Sequence, residues 1–348
     1  MHILHVFNKI SQHKIDSLNN NDYKDIRPLA LLAEGKRGPF SQKKSRIVSF
    51  SEGEDRVSYL KTDRFDICML ADGHGGQTVS EFLSNQLCKL FHCLYRALCY
   101  KVFIDNNPTK TDQQVLEPQN GHNSRLSAVR SSQLSLFKRQ YDSLNITLKK
   151  QIDCISSYCQ INLHSDTNIK TIEKLLKLTI NYLANEQKAN SHGSTLVGFV
   201  RTRDYLTTFN VGDSRCYALS ISSNRVQLLT QDHNFESRVE RKRLNYISNN
   251  PSKQKYKRLD GVLAMTRSIG DADVGRVIHK PDICSRPLSN YSVIALVSDG
   301  TYEYINNKVF EHIMKQAPYM RNNNDISDSI NSACSHSIDD RSHLLYVI

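Results

Sequence analysis

Residues 65–76 read FDICMLADGHGG, an apolar run of strand length that stops at Asp72 and passes at once into Gly73, His74, Gly75 and Gly76. A short apolar run closed by a turn has the length of a buried strand, and the glycines leave that turn sterically open. The pattern predicts a rigid core strand that delivers a carboxylate and an imidazole into a loop. A carboxylate fixed at a strand end is well placed to hold a metal ion, and glycines let backbone carbonyls and phosphate oxygens come close. An isolated Asp-Gly after a core strand is also ordinary turn chemistry, so the rest of the chain must decide.

The design recurs far later, where the apolar run Val293 to Val297 ends in Ser298, Asp299 and Gly300. Two such strands in one core would bring Asp72 and Asp299 to the same edge. Asp339, in the segment Ser337 to Asp340 just before an apolar terminal strand over 344–348, could reach that edge from a loop. Three converging carboxylates without matching cations repel strongly at low dielectric, and bound divalent cations relieve that repulsion. An oxygen-only ligand set favours Mg²⁺ or Mn²⁺ over zinc.

Between these landmarks the texture alternates in blocks. Val79, Phe82, Leu83, Leu87, Leu90, Leu94 and Leu98 recur at helical spacing, predicting one amphipathic helix over about 78–101. The stretch 104–135 is rich in Asn, Gln, Ser, Thr and Pro and reads as a polar, flexible insertion. Helices are predicted over 136–163 and 169–189, then short strands over 195–200, 205–211, 216–220 and 226–229. A charged helix over 232–244, a basic flap over 246–259 and a strand over 291–297 follow. Segregated blocks predict an α+β fold: two antiparallel β-sheets packed as a central sandwich and flanked by helices on both sides, in α-β-β-α layers. Residues 1–45 form an N-terminal extension that is basic at its end, and 46–348 form the main domain.

The formal net charge of +11 is compatible with nucleic acid, anionic membranes or acidic proteins. Its clusters, one over Lys36, Arg37, Lys43, Lys44 and Arg46 and one over 238–258, carry no interleaved aromatic RNA motif and no zinc finger. They read as solvated faces or the rim of an anion-binding cleft. The nine cysteines are odd in number and scattered without a C-x-x-C pair, which disfavours zinc and a disulfide framework. No apolar run reaches membrane-spanning length and no secretory leader is evident, so a cytoplasmic or nuclear, soluble, monomeric protein is expected.

Seven segments carry a family resemblance, in the family's order: 72–76 (DGHGG), 193–195 (GST), 210–215 (NVGDSR), 229–233 (LTQDH), 263–271 (LAMTRSIGD), 298–300 (SDG) and Asp339-Asp340. Together they resemble the metal-dependent serine/threonine protein phosphatases of the protein phosphatase 2C family, over roughly residues 54–348. The resemblance implies hydrolysis of phosphoserine and phosphothreonine in protein substrates, by a water bridging two Mn²⁺ or Mg²⁺ ions. Asp72 would bridge the ions, with the Gly73 carbonyl, Asp299 and Asp339 completing the protein ligands. His74 would be the general acid, and Asp213 and Glu303 would mark a weaker third ion. Glu54 and Asp55 would hold metal-bound waters, and Asp271 would be a supporting carboxylate.

The pattern also departs from the family. Its phosphate-binding arginine precedes the Glu-Asp pair by a few residues. Here Arg46 stands eight residues before Glu54, and Arg37 follows Gly35 in a Gly-x-Arg arrangement but needs a long intervening loop. Arg46 is the preferred of the two. Glu303 stands for a more usual aspartate, Asp340 for asparagine and Tyr302 for tryptophan. These departures motivate an alternative, a catalytically weak or silent relative acting as a phosphoprotein-binding or regulatory scaffold. Nucleic-acid binding ranks below both.

Overall fold

The computed structural model describes residues 45–105, 124–161, 167–245 and 258–348. In chain order these form β1 (Arg46–Ser51), β2 (Arg56–Lys61), β3 (Asp66–Ala71), β4 (Gly73–His74), α1 (Thr78–Asp105), α2 (Ser124–Ser143), α3 (Ile146–Ile161) and α4 (Thr167–Gln187). Next come β5 (Gly193–Ser194), β6 (Leu196–Arg201), β7 (Tyr205–Val211), β8 (Arg215–Ser220), β9 (Val226–Leu228), α5 (Arg238–Arg243), β10 (Ile269–Gly270) and β11 (Asp282–Pro287). The chain closes with β12 (Tyr291–Val297), α6 (Asp299–Tyr302), α7 (Asn307–Gln316), α8 (Asn323–Ala333) and β13 (Ser342–Val347).

Two five-stranded antiparallel sheets, β1-β13-β12-β8-β9 and β11-β7-β6-β3-β2, make the sandwich. The period-2 alternation of strands sorts their side chains. Cys68 and Leu70 of β3 and Val197 and Phe199 of β6 meet Ile294, Leu296, Leu344 and Tyr346 between the sheets. The alternate residues Ile67, Met69 and Ala71 turn outward onto α1, α3 and α4, where Leu83, Leu87, Ile152 and Leu176 bury them. On the other face Val293, Ala295 and Val297 pack under Phe310, Ile313, Ile326 and Ile330 of α7 and α8. The α-β-β-α layering is therefore as the sequence predicts.

Several boundaries differ, each for a local reason. The expected insertion is helical at both ends: α1 continues to Asp105 and α2 begins at Ser124, with Leu134 and Phe137 buried against Tyr100. Polar composition concealed these contacts. The predicted helix over 136–163 breaks at Leu144-Asn145, because Asn145 Oδ1 accepts the Leu148 amide at 2.8 Å and starts a new helix. The charged helix over 232–244 shrinks to α5, since Asp232 and His233 bond instead to Arg215 and Gly212 and hold the chain extended. Strand β11 and the helices α7 and α8 went unread. Residues 1–44, with Arg37, lie outside the described residues, as do the middle of the insertion and most of the basic flap. Among the described residues no helix is long and apolar enough to cross a membrane.

A third, three-stranded sheet, β10-β5-β4, sits at one end of the sandwich. Its pairings are Gly73 with Ser194, His74 with Gly193, and Gly270 with Gly193. It stitches the DGHGG, GST and SIGD segments into one patch.

Candidate active site

The ends of β2, β3, β7, β12 and β13 converge on a cluster of acids. Asp55 and Asp213 are buried, Asp72 and Asp299 are half-buried, and Asp339 and Glu303 are exposed, so carboxylates run from the core out to solvent. The backbone of Asp72 is fixed from behind: its carbonyl accepts the Thr195 amide at 2.8 Å and the Ser194 hydroxyl at 3.0 Å. Asp299 opens α6, where its Oδ1 accepts the Gly300 amide at 2.7 Å. Gly73 has no room for a side chain, because a Cβ there would sit 2.6 Å from the Glu54 carbonyl.

The electrostatics show how tightly these acids are drawn together. Burial, and then the charges of Asp55, Asp299 and Asp213, push Asp72 well above the usual carboxylate range. Burial and the charge of Asp339 raise Asp299 to about 6. Burial raises Asp55 to about 7, although Ser342, Ser298 and Asp72 face it and ease the charge in part. Asp213 is pushed well up by burial and by Asp299. Such values mean that the cluster tolerates its own negative charge poorly at neutral pH.

The donor set fits divalent cations. Both Asp55 carboxylate oxygens and Asp213 Oδ1 are buried without a hydrogen bond of good geometry, leaving acceptor atoms that hard cations or their waters would satisfy. Among the described residues no three His, Cys, Asp or Glu side chains form a ready-made cage.

Other predicted site residues fall as follows. Glu54 lies beside the cluster, its amide donating to Asp340 Oδ2 at 2.7 Å. Asp340 is thereby spent on the Gly53-Glu54 turn, where Gly53 at φ +57° makes space for it. His74 Nε2 lies 2.9 Å from both oxygens of Asp271, and its Nδ1 is buried without a partner. Asp271 adopts φ 56°, an uncommon left-handed conformation for a non-glycine, and also accepts the Ser268 hydroxyl. Gly193 allows this pair, because a Cβ there would collide with His74 Nε2 and Asp271 Oδ2.

Arg46 is not gathered with the carboxylates. It pairs with Val347, whereas Ser51 at the other end of β1 pairs with Ser342 on the site side, so five residue steps of strand, about 16 Å, separate the two ends. Its guanidinium donates to the Ala317 and Met320 carbonyls just beyond α7. Free carbonyls at a helix end attract a cation, and sequence distance alone could not reveal that competing partner.

Sequence reading missed two features. Asp55 is the most deeply buried acid of the set, and only the sandwich closing over it shows this. His192, one residue before Gly193 in the GST segment, packs against Gly76 of the DGHGG loop; this nearness needed the strand pairing of the small third sheet to be seen.

The Protein phosphatase 2C sequence model matches residues 112–340, more than half of the chain. The chain belongs to the protein phosphatase 2C family. Protein phosphatases 2C are metal-dependent serine/threonine phosphatases as a family, in keeping with the acidic cluster. Asp72 to Gly76 precede the matched residues, so their place in the site rests on the third sheet. "Protein phosphatase 1L" of Bos taurus is 33% identical over 39% of this chain and 37% of its own length. "Probable protein phosphatase 2C 11" of Arabidopsis thaliana is 31% identical over 41% of this chain and 39% of its own. The chain thus spans about two fifths of the length of these curated relatives. Among solved structures, serine-threonine phosphatase 2C from Toxoplasma gondii superposes with a TM-score of 0.53 at 16% identity, over 89% of this chain and 96% of that one. The S. agalactiae serine/threonine phosphatase gives 0.51 at 14% identity, over 87% and 99%. At such identities these likenesses speak for the protein phosphatase 2C fold alone.

Proposed function

We infer that this chain is a metal-dependent protein serine/threonine phosphatase acting on phosphoserine and phosphothreonine. The observation that carries the reading is the group Asp55, Asp72, Asp213 and Asp299, forced together with orphaned buried oxygens. Asp72, the Gly73 carbonyl, Asp299 and Asp339 would hold two Mn²⁺ or Mg²⁺ ions, with Asp213 and Glu303 toward a third. Bound there, the ions would supply Lewis-acid charge toward water and the phosphate oxygens. The chain's own part is to fix the acids: Ser194 and Thr195 lock the backbone of Asp72, and the Gly300 amide orients Asp299. Asp55, behind them, can take a proton or hold a water.

With Mn²⁺ present, purified protein is expected to release phosphate from a phosphoserine peptide, and EDTA is expected to stop it. Turnover undiminished by EDTA would overturn the metal assignment. A second reading, a weak or silent phosphoprotein-binding relative, is favoured by one observation: Arg46 is occupied at a helix end. Calorimetry separates the two. Phosphopeptide binding without turnover in saturating Mn²⁺ supports the scaffold, and turnover excludes it.

A further inference from the structure

The helix α5 reads RVERKR, one acid among four cations. That acid is turned inward: Glu240 is fully buried and accepts from Arg267, Arg243 and Thr266. Arg238, Arg241 and Lys242, at i, i+3 and i+4, share the helix's outer row with no acid among them. Arg238 and Lys242 are exposed and form no ion pair among the described residues. Arg241 is half-buried, and its guanidinium donates to the Phe235 and Glu236 carbonyls at 2.8 and 2.7 Å, which hold the group in place without neutralising it. Val239, 58% exposed, borders the row.

The surrounding acids do not offset this charge. Asp282 pairs with Arg267 and His233, Asp260 with Arg276, and Asp271 with His74. Among the described residues from Asn234 to Asp282, this leaves Arg238, Arg241, Lys242, Arg258 and Lys280 against Glu236 and Asp273. Like charges one turn apart weaken a helix, and an anionic partner turns that cost into attraction. Three cations on a six-residue helix are too few for a membrane surface or a DNA duplex, which engage broader basic fields. They suit two or three carboxylates. Arg238 and Lys242 are about 6 Å apart along the helix axis, close to the roughly 6.6 Å between alternate side chains of an extended peptide.

The row is also tied to the acidic edge. Glu240 grips Thr266 and Arg267, and Asp271, four residues beyond Arg267, meets His74 of the DGHGG loop at 2.9 Å. Four residues span at most about 14 Å, and the helix adds about 10 Å of width. An extended peptide crossing from the loop therefore reaches the row within about six to nine residues.

We propose that Arg238, Arg241 and Lys242 dock a run of aspartates or glutamates in the phosphoprotein substrate, about six to nine residues from the phosphorylated one, and so select acidic phosphoproteins as the substrate class. The proposal rests on the phosphatase reading above.

The test compares phosphoserine peptides that differ only in a distal block of Glu, Gln or Lys, placed on either side of the phosphoserine, in Mn²⁺ at low salt. For wild type, kcat/KM on the better Glu-block peptide should exceed that on its Gln-block twin by roughly tenfold, mainly through KM, and the ratio should shrink in high salt. In Arg238→Gln with Lys242→Gln, checked for an unchanged melting temperature, the ratio should fall close to one. Arg238→Glu with Lys242→Glu should invert the preference toward the Lys block. A wild-type ratio of one, or a ratio that both double variants retain, overturns the proposal. In a readout independent of turnover, a fluorescein-labelled Glu-block peptide without phosphate should bind the double Gln variant roughly tenfold more weakly than wild type; equal affinity overturns the row. Phosphatidylserine vesicles or a short DNA duplex bound more tightly than this peptide, with the same loss in the variants, overturn the assignment to acidic protein segments. A wild type that turns over no peptide yet binds the Glu block through these residues brings down the phosphatase reading and leaves the docking row standing. A wild type that turns over Glu-block and Gln-block peptides equally brings down the row alone.

Discussion

Asp299→Asn is expected to raise the melting temperature of the metal-free chain at pH 7 and, in the same molecule, to remove most of the stabilisation that Mn²⁺ should confer together with the proposed phosphatase activity. The two effects have one origin. Asp299 is raised to about 6 and Asp55 to about 7, each by burial first and then by neighbouring acids. A carboxyl group whose folded pKa exceeds its unfolded value stabilises the fold while protonated. That stability is fully present below the unfolded value and is lost as pH rises through the folded one. The metal-free chain should therefore weaken as pH climbs from about 4 to about 7, as the cluster is forced to ionise. Asparagine removes one buried charge yet keeps an oxygen for the Gly300 amide, so a gain of roughly 1–2 kcal/mol, a few degrees, is expected at pH 7. On the proposed reading the same change deletes a metal ligand. Wild-type protein should gain about 2.7 kcal/mol at a hundredfold excess of Mn²⁺ over its Kd, and the variant far less. Thermal unfolding at pH 5 and pH 7, with Mn²⁺ and with EDTA, measures all of this. A variant less stable than wild type in EDTA at pH 7 would show that the acids do not repel one another.

Much of this arrangement was legible in the sequence because it is local. An apolar strand that stops at Asp-Gly encodes both its burial and the carboxylate at its end, so β3 with Asp72 and β12 with Asp299 could be read directly, as could the layers that the amphipathic helices imply. What was lost depends on partners distant in sequence. Arg46 looked free until the turn after α7 supplied carbonyls 271 and 274 residues away. The extra charge of Asp340 looked like a burden beside Asp339 until the Glu54 amide and the open turn at Gly53 were seen to receive it. Strand β11, with Asp282, Ser285 and Arg286, has no apolar alternation because it is an edge strand beside β7, its polar side chains half-buried or exposed. His192 carried no signal at all, since the two-residue strands of the third sheet are too short to leave a periodic pattern.

Glu240→Ala should be among the most destabilising single substitutions in the chain, although this residue lies outside the acidic cluster and in the middle of a run of basic residues. Its carboxylate is fully buried in α5. Oε1 accepts from Arg267 at 3.1 and 2.6 Å, and Oε2 accepts from Arg243 at 3.0 and 2.9 Å and from the Thr266 hydroxyl at 2.8 Å. Burial alone would raise its pKa, but the bonds from Arg267, Thr266 and Arg243 outweigh it and hold the group at about 2. The network continues toward the site. Arg267 donates to Asp282 at 2.9 Å, and Asp282 also meets His233 Nε2 at 3.0 Å. Because His233 Nδ1 accepts the Gly212 amide at 3.0 Å, the ring proton lies on Nε2 and is donated to Asp282; Gly212 immediately precedes Asp213. Removing Glu240 leaves the buried Arg267 guanidinium with part of its charge uncompensated, which typically costs 3–5 kcal/mol, about that much being expected here by urea unfolding at pH 7. The pH dependence has the opposite sign to that of the cluster. A depressed carboxyl pKa stabilises the fold above its unfolded value, near 4.5, and that contribution is lost as pH falls toward about 2. Metal-free wild type should then be most stable near pH 4–5, between the two losses, and Glu240→Ala should flatten only the acid side of that profile. A cost below about 1 kcal/mol, or an acid limb as steep as in wild type, would mean that the arginines find other partners and that the link from α5 to Asp213 carries no strain.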